Sequence, residues 1–290
     1  MTENTNINQN TVINPLGDNT QVVNADTLTQ SIVTAQKQVT NEEVKASSNT
    51  TTVQLPSNGL MNPNIKEVTL KRMSTLQSKT LFTSNDPNYL TTLILDCIIE
   101  PSNITINDLH PNDIVYLIFI LRYISSPKNV VQTWRCDNPR CLREFESQVN
   151  IPELSVDYAT PEKYEFSVKL PDCGDTLEFK ILSEGELTNS DKIADRQIRQ
   201  FNIEDDKWHK LISKIGYMIT TKNGLEFESF KDKINYLESL SAYDFDTFNK
   251  VYNDIISSFG LNRKYIDTCP HCKEPVEVEA YIAPDFFRLV

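Results

Sequence analysis

The sequence predicts an α+β fold that is mainly helical, with a β-hairpin in its middle and a ribbon-like β element split between two distant cysteine pairs. Three observations lead there. Apolar residues recur at helical spacing over much of the chain beyond residue 60. Two alternating segments flank a Pro/Gly turn near the centre. Four of the six cysteines fall in two close pairs, Cys136 with Cys141 and Cys269 with Cys272.

The first 60 residues are rich in Asn, Thr and Gln and contain no Phe, Trp or Tyr. Without aromatic anchors they bury too little area to offset roughly 1 to 2 kcal/mol of backbone entropy per ordered residue. Residues 1–60 therefore read as a tail, disordered or extended. It is either a spacer without a role or, through Val22-Val23 and Ile32-Val33, a strand laid along a partner. Residues 61–130 read as an N-terminal helical region.

Val68, Leu70, Met73, Leu76 and Leu81 fit an amphipathic helix from Lys66 to Leu81. A second helix runs from Pro87 to about Ile99, with Asp86 as its N-cap and Pro87 as its first residue. The third, Pro111 to Ser125, is apolar all round and is expected to be buried on most sides. Its Asp113 and Arg122 complement the helix dipole at the two ends.

Beyond the first cysteine pair the period changes. Lys163–Leu170 and Thr176–Leu182 read as the two arms of a hairpin around Pro171 and Gly174. Helical spacing resumes at Glu186–Phe201, Asp205–Thr220, Ser229–Ser239 and Tyr243–Phe259, with Gly260 in the place of a C-terminal cap. A last strand places Val276, Val278, Ala280 and Ile282 on one face.

Zinc takes four thiolates tetrahedrally, and a close cysteine pair on a tight turn presents two of them. Cys269 and Cys272 form a C-x2-C turn containing Pro270, and Cys136 and Cys141 form a looser C-x4-C turn containing Asn138 and Pro139. Each turn precedes a strand, Arg143–Asn150 and Pro275–Ile282, which is the layout of a zinc ribbon. Residues 131–150 plus 265–290 thus read as a split ribbon holding one structural Zn2+ per chain, with residues 151–264 inserted between its halves. Four cysteines would saturate the ion and leave no position for a reactive water. A redox C-x-x-C would need a thioredoxin-like context, and the sequence offers none. Cys97 and Cys173 read as ordinary free thiols.

Other chemistry is sparse. His110 precedes the proline that opens a helix and reads as a capping or packing residue; His209 and His271 read as surface residues. The run Glu204 to Asp206 reads as a solvated helix start. With no phosphate-binding glycine loop or nucleophile elbow, and only seven glycines, the chain is expected not to be an enzyme. A net charge of -12 argues against nucleic-acid binding, which needs clustered Lys and Arg. Ile114–Leu121 is far shorter than the roughly 20 residues of a membrane span. With no apolar leader pattern at the N-terminus, a reducing cytoplasm is expected, where paired cysteines point to metal.

The ordered set "DPNYLTTLILDCI" (Asp86–Ile98), "LHPNDIVYLIFILRYISSPKNVVQTWRC" (Leu109–Cys136), "VKLPDCGDTLEFKI" (Val168–Ile181) and the ending "CPHCKEPVEVEAYIAPDFFRLV" resembles one known family. It is similar to the baseplate hub and hub-assembly proteins of T-even-type, contractile-tailed bacteriophages. The match runs over about residues 66–290. The long Asn/Thr-rich tail departs from the pattern, and so does Ser126-Pro127, where a Ser-x-Gly-type turn is commoner. The resemblance implies a structural or assembly protein of the virion, made in the host cytoplasm and retained in the tail baseplate among other baseplate and tail proteins. A non-virion assembly factor of the same family is the alternative within it. A cytoplasmic zinc-ribbon module acting on nucleic acid or a polymerase, through Arg135, Arg140 and Arg143, is the alternative outside it. The terminal Phe286, Phe287 and Leu289 are either a docking element or fold back onto the ribbon.

Overall fold

Thr50–Gln54 (β1) is the first element of the computed structural model, which describes residues 50–83, 89–126, 129–283 and 286–287. The reading of residues 1–49 as a tail, the helix start at Asp86 and Pro87, and Leu289 lie outside the described residues. β1 corrects the other end of that tail. Its β-branched run pairs with Glu67–Lys71 (β2), and Val53 and Leu55 enter the core. Ile98–Glu100 (β3) completes a sheet ordered β1-β2-β3.

β2 also corrects the helix expected from Lys66. Val68 and Leu70 are buried at two-residue spacing, with Glu67 and Lys71 outward, so the apolar face has strand period. The helix that follows, Thr75–Thr83 (α1), leaves Leu76 72% exposed, so Leu76 belongs to no core stripe. Tyr89–Cys97 (α2) then buries Leu93, Ile94 and Cys97.

Pro111–Ser125 (α3) keeps the predicted bounds and has no exposed residue. His110 caps it. Its Nδ1 accepts from the Asn112 amide at 3.1 Å, and its own amide donates to Asp113 Oδ2 at 2.9 Å. The buried Asp113 also accepts from the Ser57 amide at 2.8 Å, tying the turn after β1 to this helix. At the other end, buried Arg122 donates to the carbonyl oxygens of Phe286, at 2.6 Å, and Ser126. Phe286 meets Phe119 edge-on at 4.9 Å, and both it and Phe287 are buried. The two phenylalanines therefore fold back, onto the core around α3 rather than onto the cysteine region.

Val130–Arg135 (β4) and Glu144–Val149 (β5) form one antiparallel hairpin. Val156–Asp157 (β6) follows. Ser167–Lys169 (β7) and Thr176–Phe179 (β8) form the predicted central hairpin with shorter arms, continued by Ile219–Lys222 (β9) and Leu225–Glu226 (β10) into a sheet ordered β10-β9-β8-β7. Against it lie the helices Glu184–Phe201 (α4), Asp206–Met218 (α5), Phe230–Ser239 (α6) and Ala242–Ile256 (α7). They enclose a second core in which Phe179, Phe248 and Tyr252 stack edge and face. Ser183, Asp205, Ser229 and Ser241 cap these four helices through their side chains.

The last of these helices is capped by Ser257, so Gly260 is no helix cap. It opens Gly260–Leu261 (β11), which pairs with β6, at φ +133°, a backbone conformation that favours glycine. Asn112 Nδ2 reaches across to the carbonyls of Ile256 and Phe259 at 2.8 and 2.7 Å, joining the second core to α3. Lys264–Thr268 (β12) and Pro275–Glu279 (β13) make a last antiparallel hairpin. The architecture among the described residues is thus α+β, as expected, with seven helices and more small antiparallel sheets than the one hairpin and split ribbon foreseen. β1, β4 and β12 are not among the elements expected from the sequence. No helix among the described residues is long and apolar enough to cross a membrane.

Candidate metal centre

Each cysteine pair closes one hairpin. The β4–β5 arms end at the Arg135–Glu144 pair and the β12–β13 arms at Thr268–Pro275, so Cys136 and Cys269 each stand one residue beyond a strand. The loops repeat one design. The Cys136 amide donates to Arg143 O at 2.9 Å and the Cys269 amide to Glu274 O at 3.0 Å. The residue after each second cysteine, Leu142 or Lys273, takes positive φ, +51° and +66°, and turns the chain back into a strand. In the longer first loop Asn138 takes up the extra residues. Its carbonyl accepts from Cys141 at 2.9 Å and its side chain from Arg140 at 2.9 Å.

The hairpins face each other. All four sulfurs of Cys136, Cys141, Cys269 and Cys272 lie within 4.8 Å of one another. Cys136 Sγ stands 3.6 Å from Cys272 Sγ, and Cys141 Sγ 3.9 Å from Cys269 Sγ. A tetrahedral ion bound at about 2.3 Å would set its sulfurs roughly 3.8 Å apart, so the cluster fits a four-thiolate metal site, and the spacing is far too long for disulfides. Cys136 and Cys269 are buried, and Cys141 and Cys272 half-buried.

Burial pushes the Cys136 thiol up to about 12, with the other cysteine sulfurs adding to it and the Asn138 amide opposing. Burial works the same way on Cys269, but backbone amides of Cys272 and His271 aimed at its sulfur outweigh it and hold that thiol near 6. Four neighbouring thiolates without a cation repel one another, whereas a bound divalent ion deprotonates its thiol ligands outright.

The apolar support is small: Cys136, Phe145, Cys269, Val276 and Val278 are its buried members. Polar clamps supplement it. Buried Gln132 on β4 accepts from the Tyr281 amide at 3.2 Å and donates back to the Tyr281 carbonyl. Ser147 on β5 contacts Tyr265 OH at 2.8 Å and donates to Asp267 Oδ2 at 2.5 Å on β12. Trp134 meets Tyr281 edge-on at 5.4 Å. These clamps escape sequence reasoning because their partners are more than a hundred residues apart.

The other candidates lie elsewhere. Cys97 is buried in the first core, its thiol pushed up to about 11 by burial, and Cys173 is exposed in the β7–β8 turn. His209 is half-buried and hydrogen-bonds Gln197 at 2.9 Å. His271 is exposed and reaches Glu144 O at 3.1 Å from between two of the cysteines. His110 is spent on its helix cap and meets the Phe259 ring tilted at 59°, centroids 4.9 Å apart.

A family model described as "T4 bacteriophage base plate protein" matches residues 47–288, a span that holds both cysteine hairpins and every described residue. The chain belongs to that family. No curated protein and no solved structure matches it.

Proposed function

We propose that this member of the T4-type base plate protein family is a hub-type structural component of a contractile phage tail, held together by one zinc ion and without catalytic activity. Cys136, Cys141, Cys269 and Cys272 are its zinc ligands. The observation that carries the reading is the family match over residues 47–288, which takes in a closed four-thiol cluster. Four protein ligands leave the ion no open position, so its contribution is to folding. On this reading residues 131–150 and 265–290 are the halves of a split zinc ribbon, and residues 151–264 are inserted between them. The partners are other baseplate and tail proteins, and the place of work is the virion baseplate after assembly in the host cytoplasm.

Protein mass spectrometry on purified phage particles and on isolated baseplates tests the placement. The chain is expected in both at a fixed stoichiometry. Finding it only in assembly intermediates from infected cells would make it an assembly factor that leaves before the tail is complete. Salt-sensitive DNA binding by the purified chain would revive the nucleic-acid module.

A further inference from the structure

Two close sulfur contacts, Cys136 with Cys272 at 3.6 Å and Cys141 with Cys269 at 3.9 Å, both join opposite hairpins. Each pair also combines one half-buried cysteine, Cys272 or Cys141, with one buried cysteine, Cys136 or Cys269; pairs within a loop share that contrast, so the sulfur contacts alone select the pairing. The contrast is the division of labour that peroxide oxidation of a dithiol uses, with an accessible thiolate to attack the peroxide and a neighbouring one to resolve the sulfenic acid.

We infer that oxidation of this centre by hydrogen peroxide joins Cys136 to Cys272 and Cys141 to Cys269, two disulfides that replace the metal as the link between the hairpins. The inference rests on the zinc reading only for the ion released; the pairing rests on the sulfur geometry. In the first step the half-buried thiolate donates an electron pair to one peroxide oxygen, the O–O bond breaks and hydroxide leaves, giving a sulfenic acid. In the second the buried thiolate attacks that sulfur, the S–O bond breaks, the S–S bond forms and a second hydroxide leaves. Each disulfide consumes two thiolates and one peroxide. Complete reaction therefore takes two peroxides and frees one Zn2+.

Closing 3.6 and 3.9 Å to the roughly 2.05 Å of a disulfide needs only small side-chain shifts. The Gln132–Tyr281 and Ser147–Asp267 bonds hold the hairpins in register while this happens. Bridges within a loop, Cys136 to Cys141 or Cys269 to Cys272, would close each hairpin on itself and leave the junction without a covalent tie. The cross-hairpin bridges keep the middle of the chain fastened to its end after the metal has gone.

The test uses the full chain, with zinc measured first by a chromogenic chelator, then peroxide treatment, alkylation, trypsin digestion without reductant and mass spectrometry. Arg135, Arg140 and Arg143 put Cys136 and Cys141 on separate peptides, 136–140 and 141–143, whereas Cys269 and Cys272 share 265–273. The wild-type chain should give one species in which all three peptides are linked. Cys272→Ser should link 141–143 to 265–273 and leave Cys136 alkylated, and Cys141→Ser should link 136–140 to 265–273. A bridge inside 265–273, Cys136 joined to Cys269, or sulfinic and sulfonic acids without any bridge would overturn the pairing. If a variant does not fold, fragmentation of the wild-type species between Cys269 and Cys272 decides the same point. Cross-hairpin bridges formed in a chain that held no zinc would support the pairing and remove the zinc reading. Zinc released without those bridges would do the reverse.

Discussion

The core under the central sheet and the paired cysteine hairpins are held together in different ways. The first buries fourteen apolar residues between four capped helices and a sheet, including Phe248 at 1% exposure and Leu177 at 0%. The second buries five, two of them cysteines, and adds hydrogen bonds across the hairpin interface. A cluster that small supplies little hydrophobic stabilisation, and a two-stranded hairpin is marginal alone. The difference teaches where the proposed zinc would matter: the large core folds on burial, and the small one gains most from a staple.

The largest break should come from Cys269→Ser. Structural zinc carries apparent binding free energies of roughly 10 to 16 kcal/mol in small metal-folded peptides, so losing one ligand should cost several kcal/mol. Hydrogen exchange should then show the β4–β5 and β12–β13 amides losing protection while the helices around Phe248 keep theirs. Equal loss in both regions would end the contrast. Phe248→Ala should do the converse, costing about 3 to 5 kcal/mol in chemical denaturation while leaving the zinc content unchanged.

A smaller effect is expected from Gln132→Ala, which removes both hydrogen bonds to the Tyr281 backbone and should cost about 1 to 2 kcal/mol. It should also speed zinc loss to a chelator, whereas Asp113→Ala, which unties Ser57 and His110, should lower stability without doing so. The smallest effect at neutral pH is the titration of His110, whose burial, with Lys214 nearby, lowers it from 6.5 to about 3. Because the unfolded chain takes up this proton first, the stability contributed by neutral His110 is complete above about pH 6.5 and is lost progressively as pH falls towards 3. His110→Asn, which keeps a capping side chain, should flatten that part of the acid-denaturation curve.

Much of this was legible in the sequence. Proline at position 111 and the all-round apolar run fixed α3 to the residue, and the Pro/Gly turn located the β7–β8 hairpin. The cysteine spacing brought four distant residues to one point. The misreadings have physical causes. Val68 and Leu70 stand two residues apart, a strand spacing that no helix stripe shares, and the later Met73, Leu76 and Leu81 masked it. β1 itself lies in a Thr-rich segment whose value comes from its non-local pairing with β2. Asn223-Gly224, a two-residue hairpin signal between β9 and β10, was available in the sequence and would have ended α5 sooner. β4 (VVQTWR) and β12 (KYIDT) do carry local cues, β-branched and aromatic residues, which the cysteine turns beside them overshadowed. The clamps at Gln132 and Ser147 are polar residues that gain a role only when the chain's middle meets its end.

The proposed junction depends on the four cysteines binding a single structural ion. Elemental analysis of the full chain purified without chelator measures this directly, by zinc per chain before and after Cys269→Ser. One zinc per wild-type chain, lost in the variant together with protection of the two hairpins, is the predicted result. A wild-type chain that holds no metal and still keeps both hairpins protected would contradict it.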